Sequence, residues 1–95
     1  MSYYVYVLSC QNKNKSRFFT YVGYTCDLKK RLKLHNRGKG AKFTRGRHWK
    51  IIYSEKYNTK SKAISREYYI KKNRKFRNLI KKKFNEKKPS NTLTL

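Results

Sequence analysis

Two apolar and aromatic runs, residues 3–10 (YYVYVLSC) and 18–25 (FFTYVGYT), flank a polar segment at 11–17. Their β-branched and aromatic character predicts two antiparallel strands joined by a loop. Both runs are apolar at successive rather than alternate positions, which predicts strands covered on both faces and therefore a sheet carrying helices. Residues 27–37 read as a helix, with Thr25 or Asp27 placed to cap it and Gly38 just past its end. A basic loop, RGKGAKFTRGRH, fills 37–48, and WKIIYSEKY at 49–57 is the third strand. A second helix opens at Thr59 or Ser61 and runs to about residue 72; a short basic third helix covers 73–84. The remainder, EKKPSNTLTL, holds the single proline and has no periodicity, so it reads as a loose tail. The order ββαβαα describes an α/β (α+β) fold: a small three-stranded, mostly antiparallel sheet covered by helices. One domain spans 1–85 and a flexible tail 86–95.

Composition sharpens this picture. A chain of 95 residues has room for one domain with a thin core, and nine tyrosines mean that large rings must supply much of the buried area. Against 27 Lys and Arg stand 4 Asp and Glu, a net charge of +23, which calls for an anionic partner. Nucleic acid fits best, and composition alone admits RNA as well as DNA. A membrane surface fits poorly, because the aromatics sit in strand-like segments and not on an amphipathic helix. No run is long enough to span a bilayer, and the N-terminus lacks a basic region and cleavage site, so a soluble, intracellular protein is expected, in cytoplasm, nucleoid or nucleus. Cys10 and Cys26 make no metal pattern and fall toward opposite ends of the predicted hairpin, so both should be free thiols.

Helical spacing selects the candidate chemistry. Leu28, Leu32 and His35 share one stripe of the first helix, and Arg31 lies on its edge, four residues before His35. Either the pair serves a site, or His35 is a boundary residue and Arg31 snorkels. In the second helix Ala63, Ile64, Tyr68 and Ile70 define an apolar arc with Glu67 near its middle. A carboxylate there must be paired, Lys71 being one partner, or must hold a divalent metal ion. The basic loop offers Lys39, Lys42, Arg45 and Arg47 to phosphate, with glycines that allow close backbone approach. Within it Phe43 is a candidate to stack an unpaired base, whereas Trp49 suits the core better. On the third helix Phe76, Leu79, Ile80 and Phe84 should pack inward, leaving Arg74, Arg77, Lys81 and Lys82 as a handle on the nucleic-acid backbone.

Tyr4-Val5-Tyr6 followed by Tyr21-Val22-Gly23 resembles the paired signature of the GIY-YIG endonuclease family, with Tyr4 at the first glycine position. The wider run YVGYT-x-D-L-x-x-R-L-x-x-H-N, then GAKFTRG and R-E-Y-Y-I-K-K, is similar to the small single-domain branch, related to nuclease domains of excision repair and of branched-DNA resolvases. The resemblance covers roughly residues 3–84. It implies hairpin tyrosines (Tyr6, Tyr21) lining a shallow site, Arg31 reaching the scissile phosphate, and Glu67 binding one Mg²⁺ or Mn²⁺, with His35 as an accessory. It also implies metal-dependent hydrolysis of DNA phosphodiesters, with selectivity for branched or distorted DNA. Gly23 would let substrate or neighbouring backbone come close. Tyr6, assisted by Tyr21, is the first choice of general base, a role that requires a depressed phenol pKa, and His35 is the other choice. Relatives often carry a lysine where this chain has Tyr24, so that cation is missing here, Lys42 and Lys71 being candidates to substitute, and a late asparagine for which Asn73 and Asn78 both qualify.

Two rival classes stay open at this stage: a nucleic-acid-binding module with the same fold and little cleavage, and a basic protein that coats DNA or RNA without metal dependence. Target sequence, oligomeric state and any partner protein that confers specificity leave no mark in the chain.

Overall fold

A computed structural model describes the backbone of residues 1–11 and 18–93 and the side chains of 1–10 and 19–84. From residue 12 onward the expected polar loop at 11–17 lies outside the described residues. Strand β1 (Tyr3–Gln11) pairs antiparallel with β2 (Phe18–Thr25) on one side and β3 (Lys50–Tyr57) on the other, giving the order β2-β1-β3. Helix α1 (Leu28–Asn36) follows β2, α2 (Lys60–Lys72) follows β3, and α3 (Arg74–Leu93) follows α2, so the expected ββαβαα order holds. Asp27 caps α1 by accepting from the Lys30 N–H at 3.1 Å, and Thr59 caps α2 by accepting from Lys62 at 3.3 Å. Asn73 joins the last two helices: its N–H bonds to the Ile70 carbonyl while its Oδ1 accepts from Phe76.

The central strand is covered twice, as its unbroken apolar run demands. Val5 and Val7 face one way, into a core with Val22, Ala63, Ile70 and Ile80 under α2 and α3. Tyr6, Leu8 and Cys10 face the other way, against Trp49, Leu28, Leu32 and Ile51. A bulge opposite Val7 and Leu8 sends Ile51 to the second face and Tyr53 to the first, which is how WKIIY serves both cores. Cys10 is buried and Cys26 exposed, both as free thiols.

Three expectations about the helices are corrected. The inward stripe of α2 is the buried Ala63 and Ile70 with the partly buried Arg66 and Glu67, spaced i, i+3, i+4, i+7, while Ile64 (41% exposed) and Tyr68 (63%) point outward. Arg66 can face the sheet because Glu55 on β3 accepts from its Nε at 2.8 Å and its Nη2 at 3.0 Å. On α3, Leu79 is half exposed rather than packed inward, and lines a groove of about 390 Å³ with Ile52, Tyr53, Phe76 and Phe84. The backbone of α3 also runs on to Leu93, past the expected end at 84 and through Pro89. No helix among the described residues is long and apolar enough to cross a membrane.

Candidate active site

The hairpin register places Tyr6 directly opposite Gly23, and Leu8 opposite Tyr21. A methyl group at Gly23 would stand 2.5 Å from the Tyr6 Oη and 2.8 Å from its Cζ. The space that this glycine leaves is therefore taken by the Tyr6 phenol, not by substrate, and the sequence-based reason for Gly23 is replaced by an internal one. Tyr6 is 2% exposed, so its ring forms the floor of the site, with the more accessible Tyr21 beside it at 6.5 Å between centroids.

Behind the phenol lies His35, fully buried on the last turn of α1. Its Nε2 is 3.0 Å from the Tyr6 Oη and its Nδ1 is 2.9 Å from the Thr44 Oγ1. Thr44 donates its single hydroxyl proton to the Ala41 carbonyl at 2.7 Å, so it must accept from His35 Nδ1–H. Burial, reinforced by the Arg31 charge, holds the His35 pKa below its ordinary value, so the ring is neutral at pH 7. Its Nε2 then has only a lone pair, and Tyr6 donates to it. The hydrogen-bond inventory thus assigns a chain Tyr6 O–H to His35 to Thr44 to Ala41.

That chain is anchored by groups to which sequence reasoning gave no part in holding His35. The Trp49 indole N–H donates to the Thr44 carbonyl at 2.9 Å, and the Asn36 amide brackets Trp49, accepting from its N–H and donating to its carbonyl. A methyl group at Gly40 would fall 2.4 Å from His35 Nδ1, so this loop glycine is needed for contact, not for phosphate. The short 3₁₀ turn Lys42–Thr44 hangs on these contacts. None of them follows a helical or strand period, and only their crossing of loop and helix creates them.

Arg31 and Glu67 complete the electrostatics of the phenol. Burial pushes the Tyr6 pKa up to about 12; the adjacent Arg31 guanidinium pulls it down, and Tyr21 and the Glu67 carboxylate raise it further. The depressed phenol that a general base requires is therefore absent from the free protein. The Arg31 Nε is buried with no hydrogen-bond partner among the described residues, a vacancy that costs about 1–3 kcal/mol in a finished structure.

The two helix-facing carboxylates are held very differently. Glu55 takes two bonds from Arg66 and one each from the Tyr53 and Tyr57 hydroxyls; burial alone would raise its pKa, but these donors bring it below the ordinary glutamate value. Glu67, with 17% of its side chain exposed, has one long ion pair, 3.5 Å to the half-exposed Lys71. The paired reading of Glu67 thus identifies its partner, and the weakness of that pair leaves the carboxylate available. Lys71 is engaged there, and Asn73 is spent as a cap that also donates to the Tyr69 hydroxyl. Among the described residues no three His, Cys, Asp or Glu side chains gather as a metal cage.

Near Tyr21 the surface is a shallow hollow of about 230 Å³, lined by Thr20, Tyr21, Val22, Lys71 and Arg77. Arg77 is not a free handle there: it donates to the Ile70 carbonyl at 2.9 Å and to that of Lys71. Lys39, Lys42, Arg45 and Arg74 are exposed, while Arg47 folds back to donate to the Phe43 carbonyl at 2.8 Å.

The Gly23 packing makes a direct prediction. Gly23→Ala forces the Tyr6 phenol off His35 Nε2, for a stability loss of about 1–3 kcal/mol. Thermal melting checks it; a variant that melts at the parental temperature would show that the phenol need not hold that position.

Comparison with known proteins identifies the family. The model of the GIY-YIG catalytic domain matches residues 2–87. The UPF0213 protein CPE1444 of Clostridium perfringens is 50% identical over 70 residues, 73% of this chain and 70% of that protein. The UPF0213 protein OB0043 of Oceanobacillus iheyensis is 41% identical over 85 residues, 88% of this chain and 93% of that one. The solution NMR structure of the UPF0213 protein BH0048 from Bacillus halodurans superposes with a TM-score of 0.48 at 36% identity, covering 84% of this chain and 82% of that one. The chain therefore belongs to the GIY-YIG family, whose catalytic domain implies a nuclease-type function on nucleic acid.

Proposed function

We propose that this protein is a divalent-metal-dependent endonuclease that hydrolyses phosphodiester bonds in DNA, inside the cell, with selectivity for branched or distorted duplexes. The observation that carries the reading is the surrounding of one buried phenol: Tyr6 donates to a neutral His35 at 3.0 Å and lies within the fields of both Arg31 and Glu67. A coating protein has no use for such an arrangement, nor for an arginine with a buried, unpartnered N–H.

The roles follow from the contacts. Arg31 supplies fixed positive charge to the phosphate. Tyr6 is the base, its ionised form taking the proton from water; His35 is fully buried, accepts the hydrogen bond of the protonated phenol and acts only through Tyr6. Tyr21, the more accessible phenol, borders a shallow hollow whose lining adds Thr20, Val22, Lys71 and Arg77 but not Tyr6, Arg31 or Glu67. Glu67 is a hard oxygen donor held by one 3.5 Å pair, which suits an ion that binds through one carboxylate and keeps its waters. Glu67 would hold a Mg²⁺ or Mn²⁺ ion there, which would supply positive charge for phosphodiester hydrolysis. Lys39, Lys42, Arg45 and Arg74 add sequence-independent backbone affinity.

The test is a panel of labelled linear, hairpin, flap and four-way DNAs incubated with the full chain, with Mg²⁺, with Mn²⁺ and with chelator. Nicking that requires metal and is fastest on branched DNAs is expected, with affinity falling steeply as salt is added. Equal binding with no nicking of any DNA in either metal would remove the nuclease and leave the binding module.

A further inference from the structure

The basic loop presents one large apolar ring to solvent beside the catalytic phenols. Phe43 is 45% exposed, on a protein whose other loop aromatic, Trp49, is buried to 1%. It is also firmly held. Its ring lies nearly parallel to that of Tyr21, at 20° and 6.5 Å, and Phe19 and Trp49 flank it at 6.3 and 5.9 Å. The Arg47 guanidinium sits 5.0 Å from its centroid and 4.9 Å from that of Phe19, tied in place by the bond to the Phe43 carbonyl. The next residue, Thr44, is the buried hydroxyl that holds His35. The ring is thus fixed, through a single residue, to the same chain that orients Tyr6.

Packing does not account for this exposure. A phenylalanine left nearly half in water on a loop dense with Lys and Arg gives up burial energy, and the same loop could have kept it covered or used a polar residue. What such a placement serves is a flat, apolar, electron-rich ligand that arrives on an anionic backbone. A nucleobase is such a ligand, and it must have no Watson–Crick partner, because a paired base presents only its edges. Aromatic rings and guanidinium planes both accept bases face-on, and here they occur together.

We infer that Phe43 and the Arg47 guanidinium lying over it together form a stacking platform for one unpaired base of the DNA strand whose phosphate lies against Tyr21. This rests on the nuclease reading and makes it more specific: the preferred substrate has an unpaired nucleotide next to the cut, as in a flap, gap or bulge. The charge of the loop brings the strand in, and the ring fixes its register.

The experiment is an abasic walk. A duplex with a short single-stranded gap is made in versions that lack one base at each successive gap position, and affinity is measured in chelator for the parental chain, Phe43→Ala and Phe43→Trp. Loss of the base at one position should weaken parental binding roughly tenfold to a hundredfold. The same loss should add nothing in Phe43→Ala, and Phe43→Trp should behave like the parent. Melting curves confirm that the variants fold, and the walk on the parental chain is informative without them. Equal affinity for every abasic DNA, or penalties for base removal and Phe43→Ala that simply multiply, would overturn the platform while leaving metal-dependent nicking, and with it the nuclease reading, intact. Tighter binding to a gapped RNA than to the gapped DNA would overturn the assignment to DNA.

Discussion

Glu67→Gln is expected to abolish metal-dependent strand cleavage, by at least about a hundredfold to a thousandfold, while leaving the protein folded and bound to DNA. The side chain keeps its shape and loses only its charge. What it gives up inside the protein is one 3.5 Å pair with a half-exposed lysine, worth a few tenths of a kcal/mol at that helical spacing. DNA affinity in chelator should stay level or rise slightly, because one negative charge leaves a strongly basic surface. Single-turnover cleavage in Mg²⁺, affinity in chelator and thermal melting separate these effects. Glu55→Gln is the control with the opposite signature, since it breaks a carboxylate held by four donors and should lower the melting temperature more than the chemistry. Parental cleavage rates in Glu67→Gln would end the metal assignment and with it the central role of that residue.

The contrast between these two glutamates marks what could be read from sequence. The strands, helices and their order were legible because the apolar runs of β1 and β2 and the caps Asp27 and Thr59 are local signals. Tyr6, Tyr21, Arg31, His35 and Glu67 were reached through spacing and family resemblance. The face of α2 was misjudged for a definite reason: helical periodicity counts apolar residues, and here the inward stripe contains Arg66, made tolerable by a strand carboxylate eleven residues upstream, and Glu67, paired with Lys71. Gly40, Thr44 and Asn36 carried no signal at all. Each works by meeting a residue of a different element, Gly40 by making room for His35 and Thr44 by fixing its tautomer, and a wheel drawn on one helix does not contain such meetings. Arg77 and Arg47 were legible as charges but not as bonded groups, because their acceptors are backbone carbonyls.

Tyr6→Phe should reduce cleavage by about a hundredfold to ten-thousandfold, the range expected when a general base is removed, and should change how the rate depends on pH. In the free protein the phenol is held at about 12, chiefly by burial, so at neutral pH it is protonated and donating to His35. Below its pKa, the ionised fraction of a base rises tenfold per pH unit, so the parental rate should climb with a slope near one from about pH 6 to 9. If substrate and metal lower the phenol pKa in the complex, the climb levels off early, and the level point reports how far. His35 acting alone gives a different pattern: burial and the Arg31 charge hold its pKa below the ordinary imidazole value, so its basic form already dominates at neutrality and adds little rise above it. Tyr6→Phe should therefore flatten the profile as well as lower it. The stability change should be about 1–3 kcal/mol, the cost of leaving the His35 Nε2 lone pair buried without a donor. A Tyr6→Phe protein that is slow yet keeps the parental slope would move the titrating group elsewhere, to water or to Tyr21, and reduce Tyr6 to a structural partner of His35.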